Sequence, residues 1–457
     1  MPDKRPKSNK QNNNKTNSHV AKTPRSALWH YPRSFVNIMA SKKRTYTFID
    51  LFAGCGGLSE GFLETKHFCG LAHVEWEMPM VKTLRHRLVK KWEETESSAQ
   101  KKVIHFDIQK TDELLYGNWS NESLSLYGST NHEDIKSHGL KGLIGNTHVN
   151  LIIGGPPCQA YSIHGRATDK NSMNNDYRNY LFESFCKVVQ EFKPEIFVFE
   201  NVAGLLSAKP GGIPVKNRIY EAFDEIGYNI LTPNLLNNAL YNALDFNVPQ
   251  NRPRVIIFGV KRGSQISLSE LYDSIEKEKS TKRKLTVKDA IGNLPPLYPL
   301  PTQIKEGRLT RSHELNPNPE ITQHEARNHA PREQGIFKEW VEKNMNHISH
   351  QDMIAYYFQK TGHKTLYQKY KSLEWDKPSH TIVAHLSKDG YMFIHPDPAQ
   401  QRSITIREAA CLMTFPFDYL FLGNTAYNFK MIGNAVPVKF ASAIANSLFK
   451  VLEKKEI

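Results

Sequence analysis

Seven short apolar runs, most of them separated by longer helical patterns, constrain the fold of this chain more than any other feature of its sequence. The runs cover residues 46–52, 71–75, 103–106, 149–153, 195–199, 228–231 and 254–260. Segments such as 77–92 and 179–192 carry the helical patterns between them. Strands that alternate with helices favour a parallel sheet wrapped by helices. The sequence therefore predicts an α/β protein.

Other parts of the chain depart from this alternation. Residues 113–148 are polar and loop-like, and we interpret them as an insertion. Residues 261–400 are rich in charge, His, Tyr and Pro, which is typical of a separate region. Helical patterns return over 406–413 and from about 437 to 452.

Positive charge is concentrated at the amino-terminal end of the chain. The formal net charge is +14 over 457 residues, which indicates a polyanionic partner. Residues 1–44 hold eleven Lys or Arg and one Asp, so +10 of this charge lies there and +4 in the rest. We expect a disordered basic tail over 1–44, which either touches nucleic acid or is simply solvated. The charge of the whole chain therefore says little about an active site.

Cysteine usage and hydropathy indicate a reducing compartment. The five cysteines show no C-x-x-C spacing, which argues against a disulfide framework or a zinc finger. The histidines of residues 313–395 lack metal-ligand spacing, so we predict no metal site. We find no signal peptide and no run of about eighteen apolar residues, and we expect a soluble intracellular protein that meets no membrane.

The stretch 154–162 places a cysteine in a stiff loop. It follows the apolar run 149–153, and the pair Pro156-Pro157 forbids helix or further sheet pairing directly before Cys158. The carboxyl edge of a parallel sheet is where ligands bind. Cys158 is therefore either a reactive thiol or a buried structural cysteine, and residue type alone does not separate the two.

A second strand runs into a glycine turn. The segment Asp50-Leu51-Phe52-Ala53-Gly54-Cys55-Gly56-Gly57 precedes a helix that we expect to begin near Leu58. Such a turn lets a ligand approach the backbone, and an acid about twenty positions on can hold ribose hydroxyls. Glu75 lies nineteen residues after Gly56, at the end of the next strand. Because the turn is G-x-G-G rather than G-x-G-x-x-G, it suits a nucleoside without a pyrophosphate.

Two further residues fit the same nucleoside pocket. Trp76 is placed to stack on an adenine, and Asp107, after the run 103–106, is placed to accept a hydrogen bond from its amine. Each of these residues alone is better explained by core packing or an exposed loop end. On successive strand ends, together, they favour the pocket.

An acid and an arginine complete the predicted constellation. Glu200 leaves the apolar strand 195–202, where desolvation raises a carboxyl pKa and suits it to donating a proton or hydrogen bond. Arg254 begins the run 254–260, which reaches the same edge if it pairs antiparallel with 228–231. A thiol, a carboxylic acid and a guanidinium beside a nucleoside pocket indicate covalent attack on an electron-poor ring. Taken alone, Glu200 is equally a helix N-cap or a surface acid.

With these motifs in place, the chain resembles the DNA (cytosine-5)-methyltransferases that depend on S-adenosylmethionine. The matches occur in family order over 46–450, apart from the insertion and most of 261–375. They comprise the glycine turn 50–57, Glu75-Trp76, Asp107, Gly155-Pro156-Pro157-Cys158-Gln159, Arg178 to Phe182, Glu200-Asn201-Val202, Gln250-Asn251-Arg252-Pro253-Arg254, Arg407-Glu408-Ala409-Ala410 with Phe415-Pro416, and Gly433-Asn434-Ala435-Val436-Pro437. The resemblance implies a Rossmann-like sheet flanked by helices, with a smaller mixed target-recognition domain.

The resemblance also implies the role of each matching residue. Cys158 would attack carbon 6 of a cytosine, Glu200 would hold its ring nitrogen and exocyclic amine, and Arg252 and Arg254 would support the active-site loop and the base oxygen. The residues implied for the cofactor pocket are Phe52, Gly54, Gly56, Glu75, Trp76, Asp107, Pro157, Leu181 and Asn434. Because Asn434 returns from the far end of the chain, we expect the last helix to pack beside the first strand.

DNA contacts follow from the need to flip the target base out of the duplex. The loop 162–179 would be the lid, with Gly165 as its hinge, although it is also consistent with an exposed connection. Ser162 and Arg166 would contact phosphate, and His164 matches the place where such enzymes fill the vacated stack. Thr381, in a family-like segment at the end of the recognition region, is the remaining candidate contact.

The resulting organisation has four parts. These are the tail 1–44, a catalytic and cofactor-binding domain 45–261, a target-recognition domain 262–400, and a segment 401–457 that returns to the catalytic domain. We expect a monomer that acts on double-stranded DNA in the cytoplasm, at the nucleoid, as a solitary enzyme or beside a cognate restriction endonuclease. A tRNA-methylating relative and a catalytically inactive DNA-binding homologue are the alternatives. The long recognition region argues against the first, and the filled catalytic positions argue against the second.

Overall fold

The computed structural model describes residues 45–157, 181–307, 309–388 and 390–455. Arg44–Ile457 group as one compact unit. Predictions on the tail 1–44 and on Cys158, Ser162, His164 and Arg166 lie outside the described residues.

The strands account for every apolar run that the sequence singled out. They are β1 (Tyr46–Leu51), β2 (Phe68–Glu75), β3 (Val103–His105), β4 (Leu151–Gly154), β5 (Ile196–Val202), β6 (Tyr228–Asn229), β7 (Leu240–Asn242), β8 (Pro253–Lys261), β9 (Pro299–Glu306) and β10 (Leu309–His313). All seven predicted strands are confirmed. The short strand β7 and the hairpin of β9 and β10 were not predicted.

Helices fill the connections between the strands. They are α1 (Gly57–Glu64), α2 (Met78–Trp92), α3 (Glu96–Lys102), α4 (Thr111–Tyr116), α5 (Asn121–Tyr127), α6 (Glu133–Ile144), α7 (Leu181–Phe192), α8 (Val215–Glu225), α9 (Leu268–Glu276), α10 (Val287–Ile291), α11 (Pro331–Glu342), α12 (His350–Thr361), α13 (Ile406–Leu412), α14 (Thr425–Asn434) and α15 (Val438–Lys455). Short 3-10 turns lie at Gly128–Thr130, Ala203–Ser207, Pro210–Gly212, Leu236–Ala239, Ala243–Phe246, Met345–His347 and Ala384–Ser387.

In the described part of the chain, β1 to β8 form one mostly parallel sheet. The strand order is β3-β2-β1-β4-β5-β8-β6, with β7 paired to β8. The strands β1 to β5 pair parallel, whereas β8 runs antiparallel to β5, β6 and β7. Tyr228 lies opposite Lys261, so the predicted antiparallel pairing is confirmed. The start of β8 therefore lies at the same edge as the carboxyl ends of β1 to β5.

Both faces of the sheet are buried, as a parallel sheet requires. Alternate residues of one strand enter different cores: Ile49 packs on one face, and Phe48 on the other. The first core is covered by α4, α6, α7 and α8, and the second by α1, α9 and α15. Phe449 of α15 contacts Tyr46 of β1 with ring centroids 6.2 Å apart, which confirms the expected position of the last helix.

The interpretation of residues 113–148 as loop-like was wrong, whereas the interpretation of the segment as an insertion stays a prediction. The structure places helices α5 and α6 and most of α4 there. A few apolar residues among many polar ones anchor these helices, and Trp119 stacks on Phe106 with ring centroids 4.3 Å apart. Leu114 and Ile135 are buried in the same core. Short helices that bury only a few side chains leave a weak apolar period, which explains the error.

The C-terminal helical region, residues 425–455, contains a long apolar window. By length and composition alone, the region 425–455 could cross a membrane, with a mean hydropathy of 1.3 in its most apolar window. However, 72% of that window is buried inside the fold. The expectation that the sequence has no long apolar segment is therefore corrected for this region. Its high hydropathy is explained by burial, because α15 lies in the core against α1.

The region between β8 and α13 is mixed, with a hairpin and helices around a small core of its own. Phe337, Trp340 and Met353 are buried in that core. At its carboxyl end, Arg402 makes a bidentate ion pair with Glu408, with both N–O distances 2.7 Å and both side chains buried. The boundary of this region at residues 262 and 400 stays a prediction.

The contact between α1 and α15 depends on a glycine. A methyl group on Gly61 would lie 2.3 Å from Ala441 Cβ and 2.7 Å from the carbonyl oxygen of Val438. We expect Gly61→Ala to lower the free energy of unfolding by about 1–3 kcal/mol, because the two helices must separate to accept it. Gly335→Ala in α11 is the matched control, since a methyl group there meets nothing within 4 Å. That variant should be neutral or up to about 1 kcal/mol more stable, because alanine favours a helix. Urea denaturation of both variants measures the difference, and equal stability of the two would contradict the packing described.

Candidate active site

The turn after β1 departs from ordinary backbone geometry at three residues. Phe52, Gly54 and Gly56 have φ values of 60°, 58° and 90°. A methyl group on Gly56 would lie 2.6 Å from Leu84 Cδ1, so close packing requires glycine there. A methyl group on Gly54 would have Met80 Sδ, at 4.0 Å, as its nearest neighbour. The backbone at Gly54 therefore faces open space, as a ligand-binding turn should.

Glu75 holds this turn from the neighbouring strand. Its Oε2 accepts the backbone N–H of Gly54 at 2.8 Å, and its Oε1 accepts those of Trp76 at 2.9 Å and Glu77 at 2.8 Å. The carboxyl group is buried, and this desolvation raises its pKa to about 7. A carboxylate has lone pairs beyond these three bonds, so Glu75 can also accept hydrogen bonds from a diol.

Trp76 and Asp107 lie at the same edge of the sheet. The indole of Trp76 is 50% exposed, an unusual state for a large aromatic ring that directly follows a buried strand. Asp107 is half-buried beyond β3, and its Oδ1 accepts the N–H of Gln109 at 3.0 Å. The structure thus brings Glu75, Trp76 and Asp107 to adjacent strand ends, as the sequence predicted.

The remaining residues predicted for the pocket occupy the surrounding segments. Phe52 is half-buried, Leu181 is buried at the start of α7, Pro157 follows β4, and Asn434 is exposed at the end of α14. The segment after Asn434 approaches the glycine turn closely, since a methyl group on Gly57 would lie 2.5 Å from the carbonyl oxygen of Val436.

An acid and an arginine meet at the middle of this edge. Arg254 Nε lies 2.9 Å from Glu200 Oε1, and the two side chains are only 11% and 12% exposed. Burial raises the pKa of Glu200, and the nearby Arg254 and Arg252 oppose that rise. The register places Val202 opposite Arg254, which follows from the antiparallel pairing of β5 and β8.

Gly155 leaves room for Glu200. A methyl group at Gly155 would lie 2.7 Å from Glu200 Oε2. The chain therefore passes directly over the carboxyl group and then continues through Pro156 and Pro157 toward Cys158. The predicted DNA contacts Ser162, His164 and Arg166 belong to the stretch that the structure leaves undescribed.

Arg252 has a different environment from Arg254. It is buried and donates to the carbonyl oxygens of Ile382 at 2.6 Å, Gly433 at 2.9 Å and Ala435 at 2.8 Å. These bonds join the residue directly before β8 to two segments that lie far away in sequence. Such contacts are those of a positioning residue, because they fix backbone rather than face the open edge.

Two further side chains shape this edge, although their sequence positions did not single them out as site residues. Asn201 donates from Nδ2 to the carbonyl oxygen of Pro156 at 3.3 Å, and so links β5 to the proline loop. Gln250 accepts the N–H of Ile382 at 3.0 Å and is fully buried. Both belong to motifs that the sequence analysis quoted, so their place in the motifs was the available signal. Thr381, predicted to contact DNA, donates from its hydroxyl to the carbonyl oxygen of Asn251 at 2.7 Å.

Comparisons with known proteins agree with this geometry. The family model described as C-5 cytosine-specific DNA methylase matches residues 46–118 and 118–450. The type II methyltransferase M.Bpa9945I of Bacillus paralicheniformis is 34% identical over 453 residues, with 88% of this chain and 98% of the relative covered. The type II methyltransferase M1.HphI of Haemophilus parahaemolyticus is 30% identical, with 89% and 87% covered.

A solved structure supports the fold. The crystal structure of an Escherichia coli prophage protein, described as a DNA modification methyltransferase, matches with a TM-score of 0.56 and 21% identity. The match covers 90% of this chain and all of that one. The fold is that of a Rossmann-like methyltransferase. The chain belongs to the C-5 cytosine-specific DNA methylase family and is a DNA (cytosine-5)-methyltransferase.

Proposed function

We propose that this enzyme transfers a methyl group from S-adenosylmethionine to carbon 5 of a flipped cytosine in a specific duplex DNA sequence, through a covalent adduct with Cys158. The observation that carries the proposal is the Glu200–Arg254 pair at 2.9 Å, directly beneath the Gly155 backbone that leads into Cys158. Cys158 comes three residues after Gly155 in the sequence, and this short separation supports its role as the nucleophile that acts beside Glu200.

The glycine turn and Glu75 fit the nucleoside part of the cofactor. The open space at Gly54 admits a ligand against the backbone, and the buried carboxylate of Glu75 is placed to accept from ribose hydroxyls. The exposed indole of Trp76 offers a face for adenine, and Asp107 an acceptor for its amine. When bound, S-adenosylmethionine supplies an electrophilic methyl group. Phe52, Gly56, Pro157, Leu181 and Asn434 would complete the pocket.

The protein residues then act on the cytosine. The Cys158 thiolate forms a bond to carbon 6, and the electron pair of the C5–C6 double bond becomes available at carbon 5. Glu200 stabilises the charge that develops on the ring by holding the ring nitrogen and the exocyclic amine. Carbon 5 would take the methyl group as the bond between that methyl and the sulfonium sulfur breaks, which leaves the spent cofactor as a neutral thioether. Carbon 5 would then give its proton to water, and the C5–C6 double bond would re-form as the C6–S bond breaks and releases the Cys158 thiolate. Arg254 orients Glu200 and lies near the base oxygen, while Arg252 fixes the backbone around them.

Base flipping is required because carbon 6 of a stacked cytosine is out of reach of a thiol. Ser162 and Arg166 would hold backbone phosphates, and His164 would occupy the space that the base leaves. Thr381 would contact DNA from the recognition region 262–400. The type II methyltransferase names of the relatives support a role in restriction and modification, with a cognate endonuclease as partner. We place the enzyme in the cytoplasm, at the nucleoid, as a monomer.

Transfer of labelled methyl groups tests the proposed reaction. The full chain is incubated with labelled S-adenosylmethionine and either duplex DNA or tRNA. Label in 5-methylcytosine of duplex DNA supports the proposal. Label in tRNA alone would select the tRNA-methylating reading instead, and methylation of unpaired single strands in preference to duplexes would contradict base flipping.

Glu75 gives a prediction for cofactor binding alone. We expect Glu75→Ala to raise the dissociation constant for S-adenosylmethionine by roughly 10- to 100-fold, because it removes a charged hydrogen-bond acceptor and the anchor of Gly54. Glu77→Ala is the matched control, since Glu77 pairs with Lys430 at 2.7 Å instead. Isothermal titration calorimetry compares the two variants with the wild type. Equal affinities in all three proteins would remove Glu75 from the pocket.

A further inference from the structure

A buried chain of three polar side chains lies behind the glycine turn. Asp50 and His73 are paired neighbours on β1 and β2, and Ser59 is the third residue of α1. The Ser59 hydroxyl donates to Asp50 Oδ2, and His73 Nδ1 lies 2.8 Å from Ser59 Oγ. None of the three residues is more than 1% exposed. The reaction proposed above uses none of them.

The number of protons on Asp50, Ser59 and His73 limits which of them can donate a hydrogen bond. Ser59 has one hydroxyl hydrogen, so it cannot donate to Asp50 and His73 at once. With Asp50 ionised, Ser59 donates to Asp50, and His73 must donate its Nδ1–H to Ser59 Oγ. Burial raises the pKa of Asp50 to about 7 and lowers that of His73 to about 3, so His73 is neutral near neutral pH. Above about pH 7, where Asp50 is ionised, the neutral ring therefore carries its proton on Nδ1.

The hydrogen bond from Ser59 to Asp50 connects the two ends of the glycine turn. Asp50 lies two residues before Phe52, and Ser59 lies three residues after Gly56, so the bond between them spans all three left-handed residues. A left-handed φ at a bulky residue such as Phe52 is strained and persists only when its surroundings hold it. His73 extends the restraint to β2, the strand that ends in Glu75.

We propose that Ser59, held between Asp50 and His73, is a positioning residue that fixes the glycine turn and Glu75 in the geometry that binds the cofactor. The inference rests on the proposed use of S-adenosylmethionine. Two anchors then set the turn: Glu75 Oε2 holds Gly54 from the side of the pocket, at 2.8 Å, and Ser59 holds the two ends of the turn from behind. Loss of the second anchor loosens the turn without removing any group that touches the cofactor.

Ser59→Ala tests the inference in the full chain. We expect the dissociation constant for S-adenosylmethionine to rise by about tenfold or more, while kcat at saturating cofactor and the affinity for duplex DNA stay within about twofold. Ser447→Ala is the matched control, because Ser447 is equally buried but donates to Ile444 within its own helix α15. This control should bind cofactor as the wild type does.

A pair of variants at His73 covers the case in which Ser59→Ala fails to fold. His73→Asn retains an N–H donor near the position of Nδ1 and should keep cofactor affinity, whereas His73→Leu fills the space without a donor and should lose affinity as Ser59→Ala does. NMR of ¹⁵N-labelled histidine above pH 7, where Asp50 is ionised, adds a direct readout, with His73 as the Nδ1–H tautomer in the wild type.

The outcomes separate the two proposals. Wild-type affinity for S-adenosylmethionine in both Ser59→Ala and His73→Leu would overturn the positioning role alone. A wild-type protein that binds no S-adenosylmethionine would overturn the proposed cofactor and the positioning role with it. Rescue by His73→Asn, together with the tenfold loss in the other two variants, supports the positioning role.

Discussion

Replacing Cys158 with serine is expected to slow DNA methylation by about three orders of magnitude or more, because a serine hydroxyl is not ionised near neutral pH and is a far weaker nucleophile than a thiolate. The affinities for S-adenosylmethionine and duplex DNA should change little, since the side chain keeps its shape. Single-turnover transfer of labelled methyl groups measures the chemical step apart from binding.

Other cysteines of the chain provide the controls. Cys69 is half-buried in β2, away from the strand edge, so Cys69→Ser should methylate at the wild-type rate. Cys55 lies in the glycine turn, but burial raises the pKa of its thiol to about 12, which keeps it protonated and unreactive. Methylation that survives Cys158→Ser, or that is lost in Cys69→Ser, would contradict the assignment of the nucleophile.

The second large effect is expected at Glu200. Glu200→Gln should lower kcat by about 100- to 1,000-fold, because the amide can neither carry a proton to the ring nitrogen nor stabilise the charge that develops there. Binding of S-adenosylmethionine should remain within about twofold, since Glu200 lies outside the nucleoside pocket. Rapid-quench kinetics with duplex DNA measure kcat, and calorimetry measures cofactor binding.

Glu195 is a matched control on the same strand. It lies just before β5, at the opposite end from Glu200, and its carboxylate is 3.8 Å from Lys261 Nζ. Glu195→Gln removes the same charge from the same strand but far from the catalytic edge, so its kcat should match the wild type. Equal losses in the two variants would show that the effect comes from the stability of β5 rather than from catalysis.

The parts of the fold that the sequence predicted depend on local patterns. Seven of the eight described strands of the central sheet are apolar runs of the sequence. Glu75, Trp76 and Asp107 lie at the ends of such runs or directly after them, so strand ends alone placed Glu75 beside the glycine turn. The position of Arg254 needed one further step, the antiparallel pairing of β8, and the ion pair with Glu200 agrees with it.

The parts that the sequence did not predict depend on distant contacts or weak periods. The bonds of Arg252, directly before β8, reach residues 130 to 183 positions away, and no local pattern encodes them. In the sequence, Ser59 and His73 look like ordinary helix and strand residues. Their hydrogen bonds form only because β1, β2 and α1 pack against one another. The helices within 113–148 were missed because they bury few side chains each. Sequence patterns thus identify which residues lie at the edge, whereas packing decides which of them hold the others in place.

Trapping of the adduct tests the central claim most directly. In duplex DNA that carries 5-fluorocytosine at the target, carbon 5 holds fluorine instead of hydrogen, so the proton loss that would release Cys158 cannot occur. With S-adenosylmethionine present, we expect a complex that survives denaturation, and mass spectrometry of its peptides should place the modified base on Cys158. The Cys158→Ser variant should form no such complex. A wild-type enzyme that methylates ordinary DNA but forms no stable complex with the fluorinated duplex, or attaches it through another residue, would contradict the covalent mechanism.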